Sequence, residues 1–180
     1  VYEDPDQWDE FLDQFTDEEL VAFHNLGGFG TIGIARLGIP STFDSNGPSG
    51  INIRATNGRE QEYGTAFPIV AMLAATWNLD LAREFGRVCG NEANNLDMQI
   101  WYAPGMNIHR NPMGGRNFEY FSEDPILTGT MASEITVGAQ SVGVIVTLKH
   151  YALNDMETNR AGVQVYASER AMRELYLKPF

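Results

Sequence analysis

The chain has 180 residues, 43% of them hydrophobic, with 24 acidic against 12 basic side chains and a formal net charge of -12. That size and apolar content suit one globular domain and exclude a disordered chain. The acidic balance argues against a nucleic-acid backbone as partner, because such proteins carry clustered Lys and Arg, and a neutral or cationic small ligand fits better.

The opening VYEDPDQWDE is acidic, the reverse of the basic and apolar layout of a signal peptide, which favours the cytoplasm. It lacks an initiator Met, so the true N-terminus is expected upstream. Residues 1–30 read as a helical lead-in: Thr16 and Glu19 form a capping box, and Gly27 and Gly28 stop the helix. From residue 31 the pattern changes. LGIPSTFDSNGPSGIN moves from a short apolar run into Asp44, Ser45, Asn46 and a Gly/Pro turn, as a strand ending in a loop does.

Next, TWNLDLAREFGRVCGNEANNLD places Leu79, Leu81, Ala82, Phe85, Val88 and Cys89 on one helical face, with Asn78 as N-cap. MQIWYAP reads as a buried strand, and the long loop Asn107–Pro125 follows. ILTGTMASEITVGAQSVG is a small-residue helix suited to close packing on a sheet. VGVIVTLKH is a nearly continuous apolar strand, YALNDMETNRAGVQVY a polar loop, and residues 167–180 a last helix. Strand and helix alternate without hairpin signals.

Strands apolar throughout belong to parallel sheets covered on both faces, so the class is α/β. An open doubly wound sheet and a (β/α)8 barrel both satisfy this. No Gly-x-Gly-x-x-Gly turn favours dinucleotide binding, and long polar loops after the strands favour a barrel. Three polar clusters fall at predicted strand ends: Asp44 with Asn46, the 107–125 loop with Arg116, and Lys149, His150, Asn154, Asp155, Glu157 and Arg160. Lys149 and His150 end an apolar strand, where charged groups need a partner or a ligand, and ligand contact is the better reading.

Among the loop carboxylates Asp44, Glu119, Glu123, Asp124, Asp155 and Glu157, spacing selects no catalytic pair. Glu123 and Asp124 in SEDP read as a cap on the next helix. The single Cys89 excludes a disulfide framework, and His24, His109 and His150 have no metal-ligand spacing. No Gly-x-Ser-x-Gly elbow occurs, and no run of about 18 apolar residues suggests a membrane helix.

The strings APGMNIHRNPMGGRNFEYFSEDP, TLKHYALNDMETNR and SERAMRELYLKPF, with TAFP and AATWN between them, resemble the N-terminal part of the catalytic barrel of family 3 glycoside hydrolases, the β-glucosidase branch. The likeness runs from about Trp8 to Phe180. It implies a (β/α)8 TIM-type barrel of which residues 31–180 supply roughly the first half, since such barrels take about 250 residues. It also implies a retaining enzyme that removes a terminal β-D-glucosyl residue through a covalent glycosyl intermediate, with no cofactor. Arg116, Lys149, His150 and Arg160 match positions that hold the sugar hydroxyls of the innermost subsite. Asn46 stands where the family usually has the Asp of an Asp-Gly-Pro turn.

Asn52 stands where an Arg is common, with Arg54 two positions on, and GIN resembles the subgroup with permuted domain order. The family's nucleophile belongs to a Ser-Asp-Trp type motif and its acid/base Glu to a further domain. Neither is expected within these 180 residues, so no residue here is assigned a catalytic carboxylate. The expected partners are a β-linked glucoside or oligosaccharide and the remaining segments of the same polypeptide, while homo-oligomerisation stays open. Two alternatives remain: a β-xylosidase or arabinosidase of the family, and a non-catalytic sugar-binding relic. The β-N-acetylglucosaminidase branch is disfavoured, because its Lys-His is followed by Pro-Gly-His and here the string is KHYALND.

Overall fold

A computed structural model describes residues 4–53, 55 and 59–180, so Arg54 lies outside the described residues. The chain forms two compact units, Val1–Asp44 and Ser45–Phe180. In the first, α1 (Pro5–Leu12) starts at Asp4, whose side chain accepts from Asp6 N. α2 (Asp17–Asn25) carries the expected capping box: Glu19 N donates to Thr16 Oγ1 at 3.2 Å, and Thr16 N donates to Glu19 Oε2 at 2.9 Å. Phe15 packs edge-to-face on both Phe11 and Phe23, at 5.4 and 6.4 Å between ring centres, and so joins the two helices. β1 (Gly30–Thr31) then pairs antiparallel with the start of β2 (Thr42–Asn46).

In the second unit Asn46, at the end of β2, pairs antiparallel with β3 (Asn52–Ile53), which pairs antiparallel with β4 (Glu62–Tyr63). This corrects the reading without hairpins. Asn46-Gly47 is a turn signal, and Gly47 and Gly50 take φ of +118° and +134°, a region closed to most side chains. Parallel pairing follows with β5 (Ile100–Tyr102) and β6 (Ile145–Val146), giving the sheet order β4-β3-β2-β5-β6. Helix α3 (Val70–Ala75) precedes α4 (Leu79–Asn95), and α5 (Pro125–Gln140) makes the crossover between the parallel strands. This β5-α5-β6 unit is the α/β element that the apolar runs predict.

Asn78 caps α4 by accepting from Leu81 N, and Asp124 caps α5 by accepting from Ile126 N and Leu127 N, as the sequence suggests. Ala82, Phe85 and Cys89 are buried as expected, whereas Leu79 and Leu81 are 40% and 45% exposed. The small residues of α5 serve a helix seam. A Cβ on Gly138 would lie 2.0 Å from Arg83 O, and one on Gly86 would lie 2.1 Å from Ile135 O, so α4 and α5 touch backbone to backbone. Trp101 of β5, fully buried, donates from Nε1 to Gly47 O at 3.1 Å and ties the parallel sheet to the turn after β2.

The predicted strand over VGVIVTLKH is regular only at β6. Beyond it the pairing continues through a single parallel bridge, Gly105 with Lys149. Lys149 N donates to Pro104 O at 3.1 Å and Met106 N donates to Lys149 O at 2.6 Å, so the backbone of Lys149 is held on both sides. The last predicted helix is α6 (Glu169–Ala171) continued by a π-helical turn, Met172–Tyr176. Among the described residues no helix is long and apolar enough to cross a membrane.

Candidate functional site

The loop from Asn107 to Pro125 is held by its own hydrogen bonds. Asn117 Nδ2 donates to Asn111 O at 2.8 Å, His109 Nε2 donates to Asn117 O at 2.9 Å, and Gly115, at φ +89°, turns the chain. A short 3₁₀ turn, Asn117–Glu119, then places Arg116 and Glu119 side by side. Glu157 N donates to Gly114 O at 3.1 Å and brings the second polar loop against the first.

Five side chains from these segments form an alternating line of charge. Lys149 Nζ lies 3.0 Å from Glu119 Oε2, and Glu119 Oε1 accepts from Arg116 Nε. Arg116 Nη1 lies 3.2 Å from Glu157 Oε1, and Glu157 Oε2 lies 3.3 Å from Arg160 Nη1. Each carboxylate thus gives one oxygen to each of two cations. Side-chain exposure is 9% at Lys149, 5% at Glu119, 19% at Arg116 and Glu157, and 67% at Arg160. The inner end also reaches β2, since Lys149 Nζ donates to Asn46 Oδ1 at 2.6 Å.

His150 sits beside this line. Arg116 Nη2 is 2.9 Å from His150 Nε2, and because a guanidinium only donates, Nε2 accepts and the ring proton belongs on Nδ1. There Nδ1 faces Asn107 Oδ1 at 3.2 Å and Tyr120 Oη at 3.1 Å, and Asn154 Nδ2 donates to Tyr120 Oη at 3.3 Å. Asn107 also clamps the His150 backbone, accepting from its N at 2.8 Å and donating to its O at 2.9 Å. Burial, then the nearby Lys149 and Arg116 charges, push the imidazole down to about 4, which agrees with a neutral ring. For Glu119, burial opposes ionisation, but Arg116 and Lys149 outweigh it and hold the carboxyl below its usual range. Burial likewise opposes the Arg116 charge, and Glu119 more than restores it.

Of the residues singled out in the sequence, Asn46, Arg116, Lys149 and His150 come together in one bonded network. Among the described residues, Arg160 joins only through Glu157, at the exposed end. Asp44 falls in the first unit, where its Oδ1 accepts from Thr42 Oγ1 at 3.1 Å. Asp155 is buried and pairs with Arg110, and Glu123 is exposed next to the capping Asp124. The sequence reading assigned no roles to Glu119, Glu157, Tyr120 and Asn107. The Arg116/Glu119 spacing of three was the one available sign, since such pairs meet on a helical turn. A cleft of about 370 Å³ borders Glu119 and is lined by Gly47, Ser49, Asn52, Thr65 and Phe118. Within it Asn52 Oδ1 and Ser49 Oγ are buried with no hydrogen-bond partner among the described residues. Among those residues no group of three or more His, Cys, Asp or Glu is placed to hold a metal.

The Glycosyl hydrolase family 3 N terminal domain profile matches residues 38–180. The chain belongs to glycoside hydrolase family 3. Its family 3 relatives include Beta-glucosidase A of Butyrivibrio fibrisolvens, 42% identical over 96% of this chain and 21% of that protein. Beta-glucosidase B of Emericella nidulans is 41% identical over 98% and 21%. The structure of beta-glucosidase 3B from Thermotoga neapolitana in complex with alpha-D-glucose superposes with a TM-score of 0.84, at 42% identity over 95% of this chain and 26% of that one. Beta-glucosidase from Kluyveromyces marxianus in complex with glucose gives 0.88, at 35% identity over 95% and 20%. The α/β architecture is therefore that of the TIM-type barrel of family 3. The chain spans about a fifth of the length of the curated relatives it matches.

Proposed function

We propose that this chain is the sugar-gripping part of a retaining β-glucosidase that removes terminal non-reducing β-D-glucosyl residues through a covalent glycosyl intermediate. The observation that carries the reading is the line Lys149, Glu119, Arg116, Glu157, Arg160, which gathers three candidate sugar-binding cations on two carboxylates. The names of the relatives, and the glucose in their solved structures, support glucose as the sugar.

Arg116 and Lys149 supply charge-assisted donors to vicinal hydroxyls, and Asn46 and His150 flank them with neutral groups. Contacts of this kind that strengthen as the ring flattens toward an oxocarbenium-like state convert binding into rate. A sugar of the wrong configuration leaves a buried charged donor unmatched and is rejected. Both oxygens of Glu119 and Glu157 already serve cations, so neither is offered as nucleophile or acid/base. On this reading those carboxylates come from outside residues 1–180, residues 1–30 are a lead-in and residues 31–180 the first part of the barrel.

The test is turnover by the complete polypeptide of an aryl β-glucoside against an aryl β-xyloside, with calorimetric titration of glucose. Preferred glucoside turnover supports the proposal. Preferred xyloside turnover assigns the pentosidase alternative, and tight glucose binding without turnover assigns a sugar-binding relic.

A further inference from the structure

We infer that Glu119 is a positioning residue, a buried carboxylate that aims Lys149 and Arg116 together at the sugar and holds the charge of the innermost site in balance. This rests on the β-glucosidase reading above. Glu119 is only 4% exposed, and a charge so placed is tolerated where it is paired. Its two oxygens divide the work: Oε2 takes Lys149 Nζ at 3.0 Å and Oε1 takes Arg116 Nε.

The two cations share Glu119 as a common partner. Lys and Arg have long side chains that lose much rotamer entropy when ordered. Glu119, like Lys149, has its backbone fixed. Its N donates to Arg116 O at 3.1 Å within the 3₁₀ turn, the next residue, Tyr120, bridges to Gly105, and a Cβ on Gly105 would lie 2.5 Å from Glu119 O. The buried carboxylate, bonded to both, therefore sets the directions of two long bases on separate loops. Glu157 is placed differently, at 19% side-chain exposure and shared with the exposed Arg160.

Asn46 makes the charge argument specific. Its Oδ1 accepts from Lys149 Nζ at 2.6 Å and from Gly47 N at 3.0 Å, and as an amide it brings no charge to Lys149. Glu119 supplies a negative charge on the other side of that ammonium. Removing it leaves Lys149 and Arg116 facing the ligand with one counter-charge fewer, whereas an Asn46→Asp change would put a carboxylate back against Lys149 alone.

The experiment measures inhibition of aryl β-glucoside turnover by glucose, which is neutral, and by a glucose-shaped iminosugar at a pH where its amine is protonated. Wild type, Glu119→Gln, Glu119→Asp and Asn46→Asp/Glu119→Gln forms of the complete polypeptide are compared, with thermal unfolding as the check on folding. Glu119→Gln should weaken glucose about ten- to a hundredfold, the loss of charged hydrogen bonds. The cation should weaken by a further factor on the order of ten, because the local charge has become more positive. Glu119→Asp, which shortens the reach and keeps the charge, should weaken both inhibitors alike. The double variant should recover the wild-type ratio of the two inhibition constants while glucose stays weakened, since Arg116 Nε is still without the Glu119 carboxylate. A ratio unmoved in folded Glu119→Gln, or not recovered in the double variant, overturns the inference. If Glu119→Gln does not fold, a changed ratio in Glu119→Asp overturns it. A wild type that neither turns over the glucoside nor binds glucose overturns the β-glucosidase reading, and this inference with it.

Discussion

Replacing Arg116 by Lys keeps the positive charge and removes the fork. In the structure the guanidinium serves three directions at once: Nε to Glu119, Nη1 to Glu157 at 3.2 Å and Nη2 to His150 at 2.9 Å. An ammonium on a flexible stem behaves as a point charge and cannot satisfy these divergent partners together. At least one carboxylate oxygen and the His150 acceptor lose their donor. Hydrogen bonds to charged groups contribute about 1.5–3 kcal/mol each and do not add fully, so a net loss of about 3 kcal/mol is expected, or about a hundredfold in kcat/KM. The assay is aryl β-glucoside kinetics of the complete polypeptide, with Glu123→Ala as the surface control, expected to stay within about twofold of wild type. A folded Arg116→Lys form within about threefold of wild type would refute the claim that fork geometry, rather than charge alone, is what the site needs.

Gly138→Ala pushes a methyl to 2.0 Å from Arg83 O at the α4/α5 seam, and the helices must separate. Thermal unfolding should register a loss of about 1–3 kcal/mol, the usual range for overpacking. Asp124→Ala removes the acceptor for Ile126 N and Leu127 N and should cost about 1 kcal/mol, which chemical denaturation measures. His150 titrates near 4 in the folded protein against 6.5 ordinarily, so between those values the unfolded chain binds more protons and stability falls as the solution is acidified. The depressed Glu119 carboxyl acts in the same direction at lower pH. The unfolding midpoint should therefore drop from about pH 6.5 to about pH 4, and His150→Gln should flatten that part of the curve.

What the sequence revealed depended on whether the physics was local. The capping box of Thr16 and Glu19, and the caps at Asn78 and Asp124, are decided within four residues, and all three are present. The alternation of apolar runs and helices is equally local, and it yielded the β5-α5-β6 unit. Strand direction around Asn46-Gly47 was missed because the same turn chemistry ends a strand before a loop and reverses it into a hairpin. The seam of Gly86 and Gly138 was not legible, because small residues permit close approach without naming the partner. At the site, the cations stood out as costly residues at the ends of apolar runs. The carboxylates that organise them did not, since Glu119 and Glu157 lie 38 positions apart and only folding brings both onto Arg116.

The line of five charges crosses from a dry environment to a wet one, and mobile ions act only where water reaches. Screening at ordinary salt sets in within about 8 to 10 Å for exposed charges and much less for buried ones. Rising ionic strength should therefore loosen the array from its outer tip, freeing Arg160 while Lys149, Glu119 and Arg116 keep their spacing. A ligand that leans on the outer end would bind in a salt-sensitive way, and one seated wholly at the inner end would be nearly indifferent to salt. One continuous array thus has a responsive end and an insulated end, divided by the depth at which each charge sits.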